Sequence, residues 1–90
     1  MRGIDVKEYT YTVKSELGMH ARPAGMFVKL AKQVQSAIEI EKDGKKVNAG
    51  RLLAVMGMGI KQGDSITFFM DGPDEEEVVP KVREICEEIL

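Results

Sequence analysis

Residues 8–34 read EYTYTVKSELGMHARPAGMFVKLAKQV, and the spacing of the apolar residues changes partway along them. Over 8–14, Tyr9, Tyr11 and Val13 alternate with polar neighbours, which is the two-residue period of a strand with one buried face. After the break Ser15-Glu16-Leu17-Gly18, the positions Ala24, Phe27, Val28, Ala31 and Val34 follow at helical spacing and leave Lys29, Lys32 and Gln33 outward. That spacing predicts a helix from about 21 to 34. A strand that leads into a helix, each amphipathic in its own period, calls for a sheet covered by helices on one side.

Toward the C-terminus the same two periods recur. Residues 36–41, SAIEIE, alternate around Ile38 and Ile40, and Asp43-Gly44 accepts the positive φ angles of a tight hairpin, so Lys46-Val47-Asn48 is predicted to return antiparallel. Residues 51–57 read as a short apolar helix, and 65–70, SITFFM, as a fourth strand with Ile66, Phe68 and Met70 on one side. A last helix follows the turn Asp71-Gly72-Pro73. Asp74 is its predicted cap, Glu77 its capping-box partner, and Val78, Val82, Ile85 and Ile89 its buried stripe, with Pro80 predicted to bend or shorten it. The order strand, helix, strand, strand, helix, strand, helix predicts an α+β, two-layer sandwich with one sheet face in solvent, and residues 1–90 read as a single domain.

Composition narrows the function classes. At 43% hydrophobic and 31% charged the chain is globular rather than disordered. The single cysteine, Cys86, has no partner within the chain, the N-terminal stretch MRGIDVKEY has no apolar leader core, and no run is long and apolar enough to span a bilayer, so a cytoplasmic protein without membrane insertion is expected. The net charge of −2 argues against nucleic-acid binding. It hides an asymmetry: residues 71–90 carry a net −6 and residues 1–70 a net +4, and the only histidine lies in the positive part. One histidine and one cysteine far apart in sequence predict no metal site, and nothing calls for a cofactor.

His20, in Gly18-Met19-His20-Ala21-Arg22-Pro23-Ala24, stands where the first helix begins. First-turn amides lack intrahelical acceptors and the helix end carries partial positive charge, so an anion beside His20 gains hydrogen bonds and a favourable field of roughly 0.3–1 kcal/mol. Pro23 suits a first turn, Arg22 adds a permanently charged fork matched to phosphate oxygens, and neutral imidazole is a capable nucleophile near pH 7. These are the parts that reversible histidine phosphorylation needs, although a histidine at this place also suits a plain cap or surface role.

The string Gly-Met-His-Ala-Arg-Pro-Ala, followed by Phe27-Val28 and Ala31, resembles the active-site signature of HPr, the histidine-containing phosphocarrier family of the bacterial phosphotransferase system. Asp43-Gly44-Lys45, Val47-Asn48-Ala49, the stretch from Val55 to Asp64, and Gly72-Pro73-Asp74-Glu75 resemble it in order and spacing, so the likeness runs from about Tyr9 to Leu90. It implies an open-faced sandwich of a four-stranded antiparallel sheet with three helices on one face. It also implies phosphorylation of His20 at Nδ1 and phosphate contact by Arg22. The implied donor is the phosphoenolpyruvate-charged general phosphotransferase and the implied acceptors are sugar-specific transporter subunits, with this chain a monomeric carrier rather than an enzyme. Both partners would dock on Ala21, Gly25, Lys29, Leu52, Leu53, Met56 and Gly57. Four apolar residues within Leu52, Leu53, Val55 and Met56 exceed what one stripe of a short helix can bury, which agrees with an exposed docking patch.

One position departs from the family. Its Gram-positive members carry a regulatory serine at the start of the second helix, where this chain has Arg51, and residues 46–64 contain no serine, threonine or tyrosine. Two other functions remain open at this point: a regulatory relay that donates phosphate to non-sugar control proteins, and a small binding module in which His20 is only structural.

Overall fold

The computed structural model describes residues 6–90; the reading of the N-terminal stretch as leaderless falls partly on residues 1–5, outside the described residues. Seven elements follow in the order the two periods predict: β1 (Lys7–Thr12), α1 (Ala21–Gln33), β2 (Ala37–Lys42), β3 (Lys45–Asn48), α2 (Leu52–Met56), β4 (Ser65–Asp71) and α3 (Glu75–Ile89). The strands form one antiparallel sheet in the order β1-β4-β2-β3. The fold is the expected α+β open-faced sandwich, a four-stranded sheet with three helices.

Alternation decides the register. Phe68, in the central strand, stands opposite Tyr9 on one side and Ile40 on the other. All three turn to the helical layer, where the Phe27 ring lies 4.9 Å from that of Phe68. A register slip of one residue would turn every such side chain into solvent. Phe27, Ile40, Ile66, Phe68, Met70, Val55, Val78 and Val82 are almost wholly enclosed, and each such side chain contributes roughly 1.5–3 kcal/mol by leaving water. The other sheet face is polar, with the Thr10 and Thr67 hydroxyls 3.0 Å apart. At the β2–β3 turn, Asp43 (φ 53°) and Gly44 (φ 83°) are both left-handed, as a two-residue primed hairpin requires.

α1 adds residues to its predicted face, and two expectations for the course of α3 need correction. In α1, Leu30 and Pro23 are buried with Ala24 and Phe27, while Val28, Ala31 and Val34 are half-buried at the flanks of the stripe. In α3 the inward positions are Val78, Val82 and Cys86, followed by Leu90, and Ile85 and Ile89 are only half-buried. The helix also runs without interruption through Pro80. That residue is exposed, and the carbonyl deprived of its helical donor, that of Glu76, belongs to the exposed first turn where water can serve it.

The start of α3 differs most. Asp74 makes no cap bond. Its carboxylate accepts instead from the Gln35 N–H (3.0 Å), the Ser36 N–H (2.9 Å) and the Ser36 hydroxyl, all on the turn between α1 and β2. Three donors outweigh the one or two a cap offers, and they hold the Asp74 carboxyl below its ordinary value, the Ser36 hydroxyl most of all. Glu75, rather than Glu77, reaches back, its Oε1 accepting the Gly72 N–H at 3.0 Å. The two turns touch so closely that a Cβ on Gly72 would lie 2.4 Å from the Ser36 Cα.

Candidate functional site

The loop between β1 and α1 is held by its backbone. The Lys14 and Ser15 N–H groups donate to the Leu90 carbonyl (2.9 and 2.7 Å), and the Gly18 N–H donates to the Ser15 carbonyl at 3.1 Å. The Met19 N–H then donates to the Ile60 carbonyl at 3.1 Å. Gly18 is left-handed (φ 64°), and a Cβ there would meet the Ile60 oxygen at 2.4 Å, so only glycine allows the approach. Buried Met19 pins the next residue, His20, at the mouth of α1.

His20 is the N-cap of α1 in extended conformation (φ −95°, ψ −171°), and its side chain makes no cap hydrogen bond. Its carbonyl accepts the Ala24 N–H at 3.1 Å, the first helical bond. By position the Ala21 and Arg22 amides have no intrahelical acceptor, and Pro23 has no amide hydrogen. The first turn holds no acidic residue. Residues 17–38 and 44–63 contain none at all, while contributing Arg22, Lys29, Lys32, Lys45, Lys46, Arg51 and Lys61. His20 is half-buried and Arg22 is exposed. An anion placed at the ring would meet the Ala21 and Arg22 amides, the helix dipole and the exposed Arg22 side chain, groups whose chemistry suits phosphoryl oxygens.

The apolar run of α2 divides as its length requires. Val55 is fully buried, whereas Leu52 is 41%, Leu53 80% and Met56 37% exposed. Gly57 and Ala21 are exposed and Gly25 is half-buried. The structure packs α2 against α1. Lys29, eight residues beyond Ala21, lines a groove between α1 and α3 with Lys81, Glu84 and Ile85. Arg51 is the exposed N-cap of α2, without a side-chain cap bond. Leu17, 73% exposed and three residues before His20, escaped the sequence reading, since an isolated leucine in a polar loop carries no periodic signal.

Among the described residues there is no cluster of three or more histidine, cysteine or acidic side chains, and no helix is long and apolar enough to cross a membrane. Burial pushes the Cys86 thiol up to about 12, far from nucleophilic use.

A family model described as the PTS HPr component phosphorylation site matches residues 7–88. An HPr-like protein Crh from Halalkalibacterium halodurans is 46% identical over 67 residues, 74% of this chain and 80% of the relative. Among solved structures, HPr from Thermoanaerobacter tengcongensis superposes with a TM-score of 0.84 at 41% identity, over 90% of this chain and 91% of that one. The phosphocarrier protein HPr from Bacillus anthracis gives a TM-score of 0.82 at 34% identity, over 91% and 98%.

Proposed function

The chain belongs to the HPr family of phosphocarrier proteins, and from that membership we propose that His20 takes a phosphoryl group from the phosphoenolpyruvate-charged general phosphotransferase and passes it to sugar-specific transporter subunits. The observation that carries this reading is a half-buried histidine, open in part to solvent, on an uncapped helix start with no acid in its first turn. In the transfer, the Nδ1 lone pair of His20 forms a bond to phosphorus as the donor's bond to phosphorus breaks, and the donor's leaving atom keeps that electron pair. Charge spreads over the three equatorial oxygens, which face the Ala21 and Arg22 amides and the Arg22 guanidinium. The reverse sequence delivers the group to an acceptor. Leu52, Leu53, Met56, Gly57, Ala21 and Gly25 form the docking patch, with Lys29 at its edge. In this reading residues 1–90 act as one monomeric domain in the cytoplasm, and the catalytic machinery for phosphoenolpyruvate and sugar belongs to the partners.

A regulatory relay is the second reading, favoured by the likeness to an HPr-like protein Crh. The test is incubation with phosphoenolpyruvate and the general phosphotransferase. Acid-labile phosphate on the wild-type chain and none on His20→Ala supports the carrier reading; no label on wild type, or undiminished label on the variant, overturns it. Transfer from the charged chain to a panel of sugar-specific and regulatory acceptor domains then separates the two readings by rate.

A further inference from the structure

Lys42 closes β2 and lies well away from His20 in sequence, yet only 19% of its side chain is exposed. Its ammonium donates to the Gly59 carbonyl at 3.0 Å and pairs with Asp64 Oδ2 at 3.0 Å. The same Asp64 oxygen accepts the Lys61 N–H at 2.8 Å. One side chain thus ties both ends of the loop 59–64, which turns through left-handed glycines at each end (Gly59 φ 67°, Gly63 φ 91°). The loop is also held by Val13, the residue after β1, whose N–H donates to the Asp64 carbonyl (2.9 Å) and whose carbonyl accepts from the Gly63 N–H (2.8 Å). From the middle of this loop projects the Ile60 carbonyl that accepts the Met19 N–H and abuts Gly18. The backbone reference for His20 is therefore a loop with no regular structure of its own, and the Lys42–Asp64 pair fixes that loop to the sheet.

We propose that Lys42 and Asp64 are positioning residues for phosphoryl transfer, holding loop 59–64 so that the Ile60 carbonyl fixes Met19 and keeps the His20 ring in line with the incoming phosphorus. The proposal rests on the phosphocarrier reading. It does not concern docking, because neither residue belongs to the α2 patch. Loosening the pair should therefore lower kcat and leave KM nearly unchanged, since small errors of alignment lower transfer rates without weakening encounter.

The test compares the full-length wild type with Lys42→Met, Asp64→Asn and Lys42→Arg. Amide hydrogen exchange is followed at Met19, and kcat and KM are measured for phosphoryl uptake from the charged general phosphotransferase. In Lys42→Met and Asp64→Asn the Met19 amide exchanges about tenfold faster and kcat falls about three- to tenfold, with KM within about twofold of wild type, and Lys42→Arg restores both. Ser36→Ala, loosened at the far turn, controls for general destabilisation. The positioning role is overturned if wild type is phosphorylated normally and Lys42→Met and Asp64→Asn match it, or if Ser36→Ala moves Met19 exchange and kcat as far as they do. A wild-type chain that takes no phosphate fails earlier, at the carrier reading, and overturns both proposals.

Discussion

At the start of α1, His20 makes no cap bond and the first turn has no acid; at the start of α3, Glu75, Glu76 and Glu77 occupy the first turn and Asp74 precedes it. Both helices carry a positive end, but in α3 the Glu75 and Glu77 amides are already taken, by the Gly72 and Asp74 carbonyls at 3.2 and 2.9 Å. In α3 the first turn already carries three carboxylates, and the Asp74 side chain, turned away from the helix end, fastens one turn to another through Gln35 and Ser36. In α1 the helix end is left open, with Arg22 rather than an acid in the first turn. The two helix starts are thus treated oppositely: one is filled with acids and its N-cap side chain fastens a neighbouring turn, while the other is left for the anion that the proposed function places there.

Exchanging the two treatments gives the largest expected effect. Ala21→Glu places an α3-like acid in the first turn of α1, where it faces the incoming phosphoryl oxygens. Phosphate uptake by His20 falls about tenfold or more, while the Tm holds or rises slightly because the acid suits the helix end. Parallel rate and melting measurements check this, and an unchanged rate would break the comparison.

The converse change acts on stability alone. Asp74→Ala strips the acceptor from three donors, including those of buried Ser36. The Tm falls by roughly 5–10 °C and the transfer rate stays within about twofold. Because the Asp74 carboxyl is held below its ordinary value in the folded chain, its contribution is complete above the unfolded carboxylate value, near pH 4, and is lost as the pH falls through the folded value. Asp64, lowered by the Lys61 N–H and by Lys42, acts in the same direction. Acid titration of stability is accordingly steeper in wild type than in Asp74→Asn, and coincident curves would remove Asp74 from the account.

A smaller effect separates docking from chemistry. Leu53→Ser, at a side chain 80% exposed, shifts Tm by no more than about 2 °C. It raises KM for the donor about five- to tenfold with little change in kcat. Steady-state kinetics decide it.

The smallest effect concerns the third helix start, at Arg51. With no hydroxyl in 46–64, incubation with an ATP-dependent HPr kinase leaves that segment without phosphate, and a modified peptide by mass spectrometry would refute the prediction.

Much of this fold was legible because local pattern and tertiary demand agree. Tyr9, Ile40 and Phe68 alternate in sequence and meet in the sheet, Asp43-Gly44 adopts the two positive φ angles its composition allows, and the start of α1 falls at His20 as the helical period indicates. Asp74 was misread because its partners, Gln35 and Ser36, lie 39 and 38 residues away, and no local rule sees donors that the fold brings in. Cys86 was overlooked in the α3 stripe in favour of Ile85 and Ile89, since the side facing the sheet depends on how the helix is rolled against its neighbours. The Ile60 carbonyl and the Lys42–Asp64 pair leave no sequence signature beyond the glycines at 18, 59 and 63. The contacts that hold loop 59–64 were thus harder to read than the helix start at His20.

The central strand of the sheet, β4, is the sixth of the seven elements to be made, and both β1 and β2 pair only with strands that follow them or with β4 itself. On the ribosome, β1 and α1 must wait with their apolar faces uncovered until residues 65–71 emerge from the exit tunnel. A chain that lacks β4 keeps only the β2–β3 hairpin, so the apolar side chains of β1 and α1 stay open to chaperones and proteases until that late strand is in place.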